Sequence, residues 1–333
     1  MNAIKNFIGM VMPLAVLGAV LTAFSHVFAG RLSVGVITEH QFYSATSIVV
    51  FFLVILTLFF GIDSVRLAKR FTDEGSKQVD IAALWRGLPL GRAMVTGSVL
   101  IALVVFSING NANLIEIYRT HTSVWQDHLL WNIEAPLFHA MASSNFLPLK
   151  FWEIVYHLMW IYVLIVMAAL VKNGFTESYM VFATAVVLAF YFRSCIAMFF
   201  PVAGPEYYQP ELFNYLQGSS TRVLQDFLGQ YQAGKVAQNG LFYGTVAMPS
   251  LHVALTAMAT WFVACHWRRM LWCAIPWFVL IWFSTIVLAW HYVLDGVAAL
   301  GIAFICIVFS KTIFKVSQRL SGGYVRAEGR TCE

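Results

Sequence analysis

Charge is scarce in this chain. Only 11% of its 333 residues are Asp, Glu, Lys or Arg, where a soluble domain carries about 25%. A water-facing surface cannot be covered at that density, which excludes a soluble globular enzyme. Cysteine is sparse as well. Cys195, Cys265, Cys273 and Cys306 lie in apolar runs and Cys332 in the tail. None falls in a predicted exterior loop or at metal-ligand spacing, so neither a disulfide framework nor a cysteine metal site is expected. Internal repeats and low-complexity tracts are missing too. The apolar stretch that follows Lys5 and runs through Ala29 is longer than a signal peptide's core, and reads as an uncleaved first span. A net charge of +5 need not imply a nucleic-acid partner, because its distribution reads as topology.

What the chain has in abundance is apolar sequence, 60% of all residues. Runs of about 20 apolar residues recur along its length, the pattern of a polytopic helical membrane protein. The expected fold class is all-α, a transmembrane helical bundle of eight spans at 7–29, 43–62, 93–109, 151–171, 176–200, 249–266, 270–289 and 291–314. A basic loop (63–92) and two longer loops (110–150 and 201–248) join them. The mixed-polarity segment from His121 to Met141 is expected along the membrane interface. With the N-terminus inside, 15 of the 21 Lys and Arg residues fall on the inner side and 6 on the outer. The positive-inside rule then puts both termini in the cytoplasm and loops 110–150 and 201–248 outside, in a cell (inner) membrane facing the periplasm or exterior. The lipid bilayer is the expected partner.

Two histidine motifs fall at that outer face. In GTVAMPSLHVAL (244–255), Pro249 suits a first helical turn, Ser250 can cap it, and free amides at a helix start favour an anion. His252 lies beside that seat, although a capped helix with an interfacial histidine is the plainer explanation. In STIVLAWHYVLDGVAAL (284–300), His291 and Asp295 are four residues apart and share a helix face. An aspartate on one imidazole nitrogen leaves the other more basic for a substrate; a purely structural pair fits the spacing equally. No third ligand is evident for a metal.

Together these residues resemble the type 2 phosphatidic acid phosphatase superfamily, whose motifs are written K-x6-R-P, P-S-G-H and S-R-x5-H-x3-D on a six-helix core. Pro249-Ser250-Leu251-His252 matches the second motif with leucine for glycine. Ser284, His291 and Asp295 match the third, with Thr285 at the arginine position and Tyr292 inside the motif. RSCIAMFFP puts Arg193 at the lysine and Pro201 at the proline of the first, with Phe200 where arginine is usual. The resemblance covers roughly 93–314 and implies a six-helix catalytic core there, two added helices with a basic cytoplasmic loop over 1–92, and a cytoplasmic tail over 315–333. P-S-L-H, the missing arginine and FFPVAGP (199–205) look more like the inositol phosphorylceramide synthase branch.

The resemblance implies a membrane lipid substrate and covalent catalysis with no metal or cofactor. His291 would attack phosphorus, Asp295 orient it, and His252 protonate the leaving oxygen and then activate the acceptor. Pro249, Ser250, Ser284 and Arg193 would hold the phosphate, with Arg222 or Lys235 adding charge. Losing two arginines favours a singly charged diester over a monoester, hence phosphotransfer to an alcohol-bearing lipid over hydrolysis. A non-catalytic lipid-binding or transport protein on the same fold is the competing class. His157 and Glu153, four apart in the fourth span, are expected to hydrogen-bond each other or to touch the headgroup. GPEYYQPE (204–211) reads as an aromatic interfacial turn. His26, His40, His121, His128, His139 and His266 read as surface residues.

Overall fold

The computed structural model describes residues 2–32, 48–63, 90–122, 124–144, 148–232 and 246–320. The N-terminal half of the described fold comprises α1 (Asn2–Arg31), α2 (Ile48–Asp63), α3 (Leu90–Asn109), α4 (Asn111–His121), α5 (Asp127–Ala142) and α6 (Leu149–Lys172). After it come α7 (Thr176–Phe199), α8 (Pro205–Tyr208), a 3-10 turn (Pro210–Leu216), α9 (Ser220–Gln232), α10 (Leu251–His266), α11 (Leu271–Val287) and α12 (Val293–Leu320). The described residues contain no strand. Among the described residues six helices are long and apolar enough to cross a bilayer, and the shorter Ile48–Asp63 and Leu251–His266 are apolar too. The all-α polytopic bundle expected from the sequence is therefore present.

Helix α7 is the hub, packing on α1, α3, α4, α6, α10 and α12. Ala183, Ala185, Ala189 and Ala197 on it are fully buried, and such small residues let helix backbones approach closely. Large apolar side chains point outward instead, among them Val20, Phe24, Phe304 and Phe309, as a lipid-facing surface requires. The α6–α7 hairpin closes with a Schellman motif: Gly174 has φ 74°, its amide bonds Val171 O, and the Phe175 amide bonds Leu170 O.

Several expectations need correction. The third apolar helix does not stop at 109; the span runs Thr96–Tyr118 across α3 and α4. The stretches expected as loops at 110–150 and 201–248 hold α4, α5, α8 and α9. His26 bonds Thr22 O and faces Asn113, and His266 bonds Ser178 while stacking on Phe175, so neither is a plain surface residue. His121, His128 and His139 are exposed as expected. Cys265 is disulfide-bonded, against expectation, while Cys195, Cys273 and Cys306 are free. The basic loop from residue 64 onward, His40, Lys235 and the tail beyond 320 lie outside the described residues.

Candidate functional site

The site is assembled at one end of the bundle from three short connectors between helices. The first is 246–250. Its Val246 carbonyl accepts from Arg193 Nη2 at 2.8 Å, its Ala247 amide donates to Val202 O at 2.8 Å, and its Ser250 amide donates to Asp295 O at 3.2 Å. Ser250 is the cap of α10, its hydroxyl accepting from the Val253 amide at 3.4 Å. Pro249 therefore precedes the cap and does not occupy the first turn. His252 is the second residue of the helix, beside amides that have no acceptor inside it. The anion seat inferred for this segment keeps its physical basis.

The second connector is the α11–α12 turn. The Trp290 amide reaches back to Thr285 O at 3.0 Å and the Ala289 amide to Ile286 O at 2.9 Å. That is again a Schellman closure, but its left-handed residue is Ala289, with φ 55°. Alanine there costs about 1 kcal/mol relative to glycine's freedom, part of which glycine returns through the unfolded chain. Ala289→Gly is accordingly expected to raise thermal stability by about 0.5 kcal/mol, read as a small upward shift of the unfolding midpoint in detergent.

This turn delivers His291. Its Nδ1 lies 2.8 Å from Ala247 O and 3.5 Å from Asp295 Oδ2. A carbonyl only accepts, so Nδ1 carries the hydrogen and the neutral ring's lone pair sits on Nε2. Ala247 is the closer partner, and Asp295 shares an orienting role that the sequence assigned to it alone. Asp295 Oδ2 also accepts from the Tyr292 amide at 2.8 Å, reaching back over the start of α12 as a capping-box acid does. The ring of His252 lies 5.7 Å from that of His291, centroid to centroid. Tyr156 stacks on His252 at 4.4 Å and on Trp290 at 5.9 Å, with the Trp160 edge at 6.2 Å.

The other candidate residues are dispersed. Arg193 is buried and anchored at Val246. Ser284 gives its hydroxyl to Ile281 O, inside its own helix. Tyr292 is fully buried with its hydroxyl on Asp127. Glu153 does not pair with His157: its Oε1 accepts from Ser220 Oγ and the Thr221 amide, capping α9, while His157 is exposed. Arg222 is held by Glu206 and Asp226. Thr285 is fully buried and bonds Trp282 O, and Phe200 packs into the apolar cluster at this end of the bundle. The GPEYYQPE segment folds over the second connector, with Gly204 (φ 119°) so close to it that a Cβ would meet Trp290 O at 2.8 Å. Among the described residues no three His, Cys, Asp or Glu side chains are grouped to hold a metal ion.

Sequence reasoning singled out the segment of α5 as interfacial but passed over its two buried acids. Asp127 accepts from the amides of Ala203 (2.9 Å) and Gly204 (2.8 Å) in the third connector. Glu134 accepts from those of Val293 (2.7 Å) and Leu294 (2.9 Å). Burial pushes both carboxyls above their ordinary range, and these amides pull them back. The available signal was rarity: with only 16 acids in the chain, two spaced seven apart on one helix face require partners.

Fold and site define a polytopic membrane protein whose polar residues converge, around two histidines, at one end of a helical bundle. Residues 122–309 match the PAP2 superfamily; that is more than half of the chain, and the protein belongs to this superfamily. A phosphatase-type enzyme acting on lipids follows from that membership. The match begins beyond the first three apolar helices. Comparisons with curated proteins and with solved structures find no significant match.

Proposed function

We propose that this enzyme moves a phospho-headgroup from a lipid phosphodiester to an alcohol-bearing lipid through a phosphohistidine on His291, in the manner of the inositol phosphorylceramide synthase branch. The observation that carries the reading is the Ala247 carbonyl on His291 Nδ1, which leaves Nε2 as the nucleophile next to His252. Nε2 attacks phosphorus, the bond to the leaving lipid oxygen breaks, and His252, whose protonated form the bound phosphodiester anion favours, gives that oxygen its proton. Asp295 and the Ala247 carbonyl stabilise the positive charge on His291. His252, now neutral, takes the proton of the acceptor hydroxyl as its oxygen attacks phosphorus and the P–N bond breaks. Arg193 and the first amides of α10 hold the phosphoryl oxygens as charge develops. No step uses a metal.

Transfer is favoured over hydrolysis by the motif departures. Thr285 is buried with its hydroxyl committed, and Phe200 packs in apolar surroundings, so neither position supplies a second cationic clamp. Arg222 is neutralised by two carboxylates. A single buried guanidinium suits one negative charge better than two. Reconstituted protein given labelled lipid phosphodiesters should form product that rises with alcohol acceptor at the expense of hydrolysis, with EDTA having little effect. Brisk hydrolysis of phosphomonoesters, with no transfer at high acceptor concentration, would establish a phosphatase instead.

The charge distribution supports an exterior active site with both termini cytoplasmic. Labelling of single introduced cysteines should place residue 230 outside and residues 75 and 325 inside. Residue 230 protected from external reagent, together with a Cys265 disulfide that persists in cells, would reverse the orientation, since cytosolic thiols stay reduced.

A further inference from the structure

We propose that α5 is a positioning helix for the reaction, with Asp127 and Glu134 as the two groups that fix His291 in register; the inference rests on the catalytic reading above. The two acids are seven residues apart, two helical turns, and share the buried face of α5 with Leu130, Phe138 and Met141. Each takes a pair of consecutive backbone amides, one through each carboxylate oxygen. Side chains grip backbone in both cases, so the connectors are held whatever their own side chains do.

The two grips meet at His291 from opposite sides. Asp127 holds Ala203 and Gly204, next to Val202, whose carbonyl fixes the Ala247 amide; the Ala247 carbonyl in turn takes His291 Nδ1. Asp127 also accepts from the Tyr292 hydroxyl at 3.3 Å. Glu134 holds the first two amides of α12, whose third residue is Asp295. One rigid helix thus sets both partners of the His291 Nδ1 hydrogen. The opposite face of α5 exposes Leu129, Ile133 and Leu137, so its seat comes from the two acids and their apolar neighbours on the inner face. An error of about 1 Å in a reacting group costs on the order of 100-fold in rate, which sets the size of the effect expected when a grip is released.

The test uses full-length protein in detergent micelles with a labelled short-chain glycerophospholipid (a phosphodiester) and an alcohol acceptor as probe, and amide hydrogen exchange as a readout independent of activity. Glu134→Ala should lower kcat on the order of 100-fold with KM within about twofold, and speed exchange selectively at 292–296. Glu134→Gln keeps one acceptor oxygen and should recover part of the loss. Asp127→Asn should speed exchange at 202–205 and lower kcat in the same manner. A wild-type kcat in Glu134→Ala overturns the proposal, as does a kcat loss that follows a general fall in stability with exchange faster everywhere. An inactive wild type would instead count against the catalytic reading, while selective exchange at 292–296 would still test the grip.

Discussion

His291→Ala is expected to lose turnover by about 10⁴-fold or more, the size seen when a covalent nucleophile is removed. The protein should remain folded and extractable, because the substitution forfeits the Nδ1 hydrogen bond shared by Ala247 O and Asp295, a contribution of about 1 kcal/mol, and Asp295 keeps the Tyr292 amide. Asp295→Asn should cost far less, about 100-fold. In a dyad where the aspartate alone fixes the imidazole, its amide would favour the wrong tautomer. Here the Ala247 carbonyl, at 2.8 Å against 3.5 Å for Asp295, holds the proton on Nδ1 in wild type and Asp295→Asn alike. Steady-state rates of the two variants, normalised to folded protein, check the order His291→Ala well below Asp295→Asn.

His252→Ala should lower turnover by about 10²- to 10⁴-fold, the range for a general acid–base. The loss must depend on the leaving group. A nitrophenyl phosphodiester expels an anion that needs no proton, so its first step should survive the substitution. Resolution still needs a base for the acceptor. Stopped-flow assays should therefore show a burst approaching one nitrophenolate per His252→Ala protein, followed by a slow phase. A variant that loses the burst and the steady state equally would make His252 a structural residue, stacked on Tyr156 and nothing more.

The apolar helices among the described residues, six of spanning length and two shorter, were legible because a bilayer leaves few alternatives for long apolar runs. The observed starts of α10 and α12 lie two residues later than expected, since the leading residues of each motif, Pro249–Ser250 and His291–Tyr292, sit in the connector that caps the helix. Helices α4, α5 and α9 were hidden, as short amphipathic stretches carry no such run. The histidine pair was legible by spacing, and the structure brings it together. Spacing also misled: Glu153 and His157 look like an i,i+4 pair, yet the carboxylate caps α9. Asp127, Glu134 and Glu153 all bond backbone amides, and an amide leaves no trace in the sequence of what will hold it. Ala289 was likewise silent, because a left-handed turn is announced by glycine and here has none.

The central claim is a covalent phosphoryl group on His291, and trapping it is the most direct measurement. Wild-type protein mixed with labelled phosphodiester for a single turnover, then quenched in alkali, should carry label on the peptide containing His291. That label should be stable to base, labile to acid and missing from His291→Ala, and in Asp295→Asn it should form more slowly. Turnover by wild-type protein without any adduct on that peptide, or undiminished turnover in His291→Ala, would contradict it.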